Sequence, residues 1–165
     1  MDRLWSPWRM EYIEQAHGDE DVECIFCELL GRDDDGKSLV LARAPHAFAL
    51  LNAYPYNPGH LMVAPTRHVA ELDGLSEDEL LDAGRLLQRA VRALREEMDP
   101  HGYNVGMNLG KVAGAGVPGH LHWHAVPRWN GDTNFMPVVG HTRVLPESLH
   151  DTYNKLKPRF EKGDQ

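Results

Sequence analysis

The chain has 165 residues, of which 42% are hydrophobic and 25% charged, a balance that suits one folded domain with a real core and excludes wholesale disorder. A formal net charge of -8 works against wrapping a nucleic-acid polymer, so a phosphate ligand has to be gripped by local groups. No run reaches the ~18 apolar residues of a membrane span, and the opening MDRLWSPWRMEYIEQ scatters charges where a signal peptide has an apolar stretch, so the expected location is cytoplasmic with no membrane partner.

Residues 1–20 carry Trp5, Pro7, Trp8, Met10, Tyr12 and Ile13 without a period and are expected to form a packing arm. The only two cysteines, Cys24 and Cys27, follow in C-x-x-C spacing, and the acidic run Asp33-Asp34-Asp35-Gly36 reads as a solvated turn. Strand patterns then occupy residues 39–42, 47–51 and 60–64, the last two joined by Tyr54-Pro55-Tyr56-Asn57-Pro58-Gly59, which suggests an antiparallel sheet. Ser76 and Glu79 form a capping-box signal for a long helix, whose apolar stripe is read at Leu80, Gly84, Leu87, Val91, Leu94 and Met98. Pro100 and Gly102 end that helix. Two more strands are expected at 103–109 and 121–126, separated by a glycine-rich loop at 110–119, and a final helix from about Pro146 to Phe160. There is no internal repeat and no low-complexity linker.

The chemistry concentrates in His120-Leu121-His122-Trp123-His124. On a strand, residues i, i+2 and i+4 share one face with about 6.5–7 Å between neighbours, which leaves Leu121, Trp123 and Ala125 toward the core. Core packing does not call for three imidazoles in a row. Neutral imidazole is a nucleophile near pH 7, and its second nitrogen can fix the tautomer by donating a hydrogen bond. His124 is placed to donate to a non-bridging phosphate oxygen, and backbone N–H groups of the glycine loop, at Gly114 and Gly116, can approach a phosphate without Cβ interference. A three-histidine zinc hydrolase is a competing reading of the same strand. Cys24 and Cys27 read as half of a Cys2His2 zinc site with His68 and His120 as suppliers, as a redox pair, or as inert thiols.

These residues resemble the histidine-triad superfamily of nucleotide hydrolases and transferases. The resemblance runs from Cys24 to about Trp129 and rests on His120-x-His122-x-His124, on the segment from Asn52 to His60, on Arg67-His68-Val69 and on Gly106-Met107-Asn108. It implies an α+β fold, a five-stranded antiparallel sheet carrying the long helix, usually paired as a homodimer. It implies His122 as the nucleophile that becomes nucleotidylated, His124 as a phosphate ligand, Asn52 at the ribose and Asn108 at the phosphate region. It also implies a structural zinc on Cys24, Cys27, His68 and His120. The organisation expected is a single domain over 1–165, with an arm at 1–20, the family core at 24–129 and an extension at 130–165.

Two further stretches, Leu4-Trp5-Ser6-Pro7-Trp8-Arg9-Met10 and the run from Pro127 to Phe135, look like the bacterial branch that includes diadenosine tetraphosphate phosphorylases. The expected substrate is therefore a dinucleoside polyphosphate, with its base near Phe48 and Leu50 and with water or phosphate as acceptor. A nucleotide-binding partner protein with residual catalysis is the alternative. One departure is that residues 113–119 lack the Ser or Thr that many family members place before the triad. Among the remaining histidines His60 is expected to make a structural hydrogen bond, while Arg128 is read equally as a ligand for a distal phosphate or a plain surface residue.

Overall fold

In the structure, a computed structural model that describes residues 24–132 and 147–161, an antiparallel five-stranded sheet separates two apolar layers. The arm with Trp5 and Trp8, and residues 133–146, lie outside the described residues. The strands are β1 (Val40–Arg43), β2 (Ala47–Leu51), β3 (Leu61–Pro65), β4 (Gly102–Met107) and β5 (Trp123–Arg128), in spatial order β1-β2-β3-β5-β4. The helices are α1 (Ile25–Gly31), α2 (Asp35–Ser38), α3 (Glu77–Met98) and α4 (Leu149–Glu161).

Strand β2 explains the layering. Its five residues are all buried, because the two-residue period sends Ala47, Ala49 and Leu51 to one layer and Phe48 and Leu50 to the other. The first layer adds Leu61, Val63 and Ala125 and is covered by α3 and α4. The second adds Val40, Ala64 and Phe26 of α1, and this is the face on which the histidines gather.

Several expectations shift on contact with the packing. Part of the acidic run is helical rather than turn: Asp34 accepts the Lys37 N–H at 3.0 Å and caps α2. Leu39 then adopts φ 56°, so β1 begins one residue late. The capping box of α3 is present in both halves, but the helix rests on Ala83, Leu86, Ala90, Ala93 and Leu94. Leu80 is 43% exposed, and only Leu94 of the expected stripe is fully buried, with Leu87 and Met98 at its margin. The physical reason is the alanines, whose small side chains let the helix axis approach the sheet and so decide which face is inward.

The two sheet edges are treated differently. On β1, Tyr153 Oη donates to the Val40 carbonyl at 3.2 Å, and Lys157 Nζ donates to the carbonyls of Val40 and Leu41, each at 3.2 Å. Helix α4 thus covers that edge. On β4, Asn104, Val105 and Gly106 stay exposed.

Candidate functional site

Cys24 and Cys27 belong to the first turn of α1, where a three-residue spacing brings side chains to one side. Facing them is His120, whose Nδ1 lies 3.2 Å from Cys24 Sγ and 3.6 Å from Cys27 Sγ, while His68 Nδ1 lies 3.4 Å from Cys27 Sγ. All four donor atoms fall within 4.8 Å of one another. Tetrahedral zinc, with Zn–S about 2.3 Å and Zn–N about 2.0 Å, sets its ligand atoms roughly 3.3–3.8 Å apart, so the cluster fits that ion. The tautomer fits as well. A carbonyl only accepts, so at 2.9 Å from the Pro65 oxygen His120 Nε2 is the protonated nitrogen and Nδ1 is left bare toward the thiols. Burial lowers the His120 pKa, opposed by the Pro65 carbonyl and reinforced by His68 and His122, and so favours the neutral ring that a metal requires. Burial, with the neighbouring Cys24, pushes the Cys27 thiol up, the opposite of what a bound cation does.

Arg67, next to His68 in the chain, ties one side of the cluster to the start of α3. Arg67 forks onto Glu79 with two 2.8 Å hydrogen bonds and donates to the Gly74 carbonyl, fixing the segment that carries His68. Glu79 also accepts the Ser76 N–H at 2.8 Å. The Arg67 guanidinium first, and that amide second, hold its carboxyl down at about 2. The helix cap is therefore also a support for the segment that carries His68.

The triad does not form one regular strand face. His120 sits in a bend and turns toward Cys24, Cys27 and His68, the Leu121 N–H goes to the Val69 carbonyl at 2.7 Å, and ladder pairing starts only at Trp123. His122 and His124 do share a face, with ring centroids 4.9 Å apart and planes at 77°. His122 donates its Nδ1–H to the His120 carbonyl at 2.8 Å, which leaves Nε2 bare. Burial lowers the His122 pKa against that carbonyl, so the ring favours its neutral, nucleophilic form.

His60, 1% exposed, does more than make a structural bond. Its Nδ1 accepts the Tyr56 backbone N–H at 3.0 Å, so the proton is on Nε2, and Nε2 donates to His124 Nδ1 at 3.0 Å. The backbone amide thereby fixes the tautomers of two histidines in series and puts the His124 proton on Nε2. The Tyr56 ring covers both, with centroids 4.7 Å from His60 and 6.2 Å from His124.

The remaining expected ligands are engaged locally. Asn52 Oδ1 accepts the Tyr54 N–H at 2.9 Å, and its Nδ2 lies 3.4 Å from His60 Nδ1. Asn108 Nδ2 donates to the Gly114 carbonyl at 3.4 Å, tying the glycine loop to the end of β4. Gly114, at φ 91°, directs its N–H to the Lys111 carbonyl at 2.9 Å, and Gly116 is half-buried beyond it. Phe48 and Leu50 are fully buried, in the layer that Phe26 and Leu29 of α1 cover, so a base cannot lie on them as expected. Ile25, at the start of α1, is 42% exposed. Arg128 is committed to Asp132 at 2.5 and 2.8 Å and to Asn104 at 2.9 Å, which removes it as a ready phosphate ligand. Sequence reasoning missed Phe26 and Tyr56. The signal was their place, one inside the C-x-x-C and the other four residues before His60.

Comparison with known proteins agrees with the fold. A family model described as the HIT domain matches residues 35–131. An AP-4-A phosphorylase of Mycobacterium tuberculosis is 43% identical over 162 residues, covering 94% of this chain and 83% of that protein. An adenosine 5'-monophosphoramidase of Schizosaccharomyces pombe is 31% identical over 109 residues, covering 66% of this chain and 77% of that one. Among solved structures, a zinc-bound histidine triad family protein from Mycobacterium smegmatis superposes with a TM-score of 0.68 at 27% identity, covering 85% of this chain and 94% of its own. With two histidines on one sheet face, a third turned to a Cys2His2 cluster, and these relatives, the chain belongs to the histidine-triad (HIT) family of nucleotide hydrolases and transferases.

Proposed function

We propose that the protein transfers the nucleotidyl group of a dinucleoside polyphosphate, diadenosine tetraphosphate being the reference substrate, from its leaving polyphosphate to inorganic phosphate through a nucleotidyl-His122 intermediate. The observation that carries this reading is the bare Nε2 of a buried, neutral His122 beside a His124 whose own proton is directed to Nε2. The His122 Nε2 lone pair attacks the α-phosphorus, the bond to the bridging oxygen breaks, and the departing phosphate takes its electron pair. His124 Nε2–H donates to a phosphate oxygen as charge builds there. Phosphate then attacks the same phosphorus and releases His122, so diadenosine tetraphosphate gives ADP and ATP. The phosphorylase activity named for the M. tuberculosis relative supports this choice of acceptor.

In this reading Asn52 meets the ribose, Asn108 with the loop at Gly114 and Gly116 flanks the phosphates, and the base lies against Ile25 on α1. Zinc on Cys24, Cys27, His68 and His120 supplies a fixed divalent charge that joins α1 to the ends of β3 and the triad segment. The open β4 edge, with Val105 48% exposed, suits pairing with a second copy into a homodimer. A cytoplasmic location accords with the same picture, and among the described residues no helix is long and apolar enough to cross a membrane.

The test is incubation of wild type and His122→Ala with diadenosine tetraphosphate, with and without phosphate, followed by anion-exchange separation. ADP plus ATP only in the presence of phosphate, and only from wild type, is the expected result. AMP and ATP without phosphate would make the acceptor water. Equal turnover by both proteins would remove His122 as nucleophile.

A further inference from the structure

The C-x-x-C turn carries one more side chain toward the triad than the metal reading uses. Phe26, between Cys24 and Cys27, is 3% exposed, and its ring centroid lies 4.8 Å from that of His122, 5.1 Å from His120 and 6.4 Å from Phe48. The other restraint on His122, its Nδ1–H bond to the His120 carbonyl, also begins on a member of the Cys24, Cys27, His68 and His120 cluster. Both restraints on the nucleophile therefore originate at the metal cluster, while His124 borders the ring from another side.

We propose that Phe26 is a positioning residue, which holds His122 in the ring orientation that presents Nε2 to substrate and is itself held by the metal cluster on either side of it. The inference rests on the reading of His122 as nucleophile. A single hydrogen bond at Nδ1 fixes one direction but leaves the imidazole free to rock about the Nδ1···O axis. The tilted contact with Phe26, 38° between planes, blocks that motion by filling the space beside the ring. At 3% exposed Phe26 has almost no surface left to offer a ligand, so its contribution is exerted through His122. Small misplacements of a reacting group cost rate far more than they cost binding.

The experiment uses the full-length, zinc-loaded protein as wild type, Phe26→Leu and Phe26→Ala. Zinc is counted by chromogenic chelator after thiol modification, kcat and KM are measured on diadenosine tetraphosphate with phosphate, and His122 carbethoxylation by diethyl pyrocarbonate is followed by peptide mass mapping. Exposed His46 and His150 serve as internal references. Expected are unchanged zinc content, His122 modified several-fold faster in Phe26→Ala and less so in Phe26→Leu, and kcat lowered about tenfold or more with KM within about twofold. Stripping zinc should accelerate His122 modification more in wild type than in Phe26→Ala, because both changes act on the same ring. A change in KM alone would make Phe26 a wall of the base site, and loss of zinc in both variants would make it a spacer of the metal cluster. Unchanged His122 reactivity in both variants overturns the proposal. If wild type does not turn over the dinucleotide, the substrate assignment fails while the zinc and His122 readouts still decide the role of Phe26.

Discussion

Gly59→Ala tests the joint between the His60–His124 hydrogen bond and the core. Gly59 has φ +79°, and a Cβ there would lie 2.7 Å from Met98 Sδ and 2.8 Å from Leu94 Cδ2. A non-glycine residue in the left-handed region costs about 1–2 kcal/mol. Met98 is flexible and can yield, but Leu94 is fully buried, so crowding adds roughly 1–2 kcal/mol from the lower range for overpacking. The total is a loss of roughly 2–4 kcal/mol. Gly84→Ala is the control: Gly84 lies within α3, a Cβ there meets nothing within 4 Å, and the change should stabilise by about 0.5–1 kcal/mol. Urea unfolding followed by tryptophan fluorescence gives both numbers, with a common m-value as the check on two-state behaviour. Because Gly59 directly precedes His60, the variant should also lose turnover before it loses fold. A Gly59→Ala protein within about 0.5 kcal/mol of wild type would refute the reasoning, since neither strain nor crowding would then be present.

His60→Phe keeps an aromatic ring against Tyr56 and removes the donor to His124; kcat should fall by roughly 10²–10⁴ with a much smaller change in KM, measured by steady-state kinetics, and a change confined to KM would contradict the relay. The Glu79 carboxyl, held at about 2 against an ordinary 4.5, binds fewer protons in the folded than in the unfolded chain between those values. Its stabilisation is therefore fully present above about pH 4.5 and lost as pH falls through about 2, so the stability gap between metal-stripped wild type and Glu79→Gln should shrink across that window in urea titrations. A gap independent of pH would mean that the Arg67 fork contributes nothing through charge.

Most strands were legible to within a residue or two, because β2 and β3 announce themselves by short apolar runs between turn residues. The errors have local causes. The final strand begins at Trp123 rather than 121 because Leu121 bonds outside the ladder, to Val69. The inward face of α3 was misread because alanine scores poorly as apolar yet packs closest. At the site, residue types and spacing brought Cys24, Cys27, His68 and His120 together on paper, and the structure puts their donor atoms within 4.8 Å. The step from His60 to His124 and the contact of Phe26 with His122 could not be read, since each joins segments far apart in the chain through the order in which strands and helix are layered.

The position of β5 in the sheet has a consequence for how the protein comes to be active. β5 pairs with β3, Leu61 against Ala125, and with β4, Gly102 against Arg128, so the strand that follows His122 is inserted between neighbours rather than added at a margin. The hairpin of β2 and β3 and the helix α3 can form from local contacts, but closing the sheet over β5 must wait for pairings of long sequence separation, the slow class of folding event. In a refolding experiment helical signal should therefore return ahead of catalysis. A chain arrested between the two would already hold its main apolar layer while His122 and His124 were not yet in place.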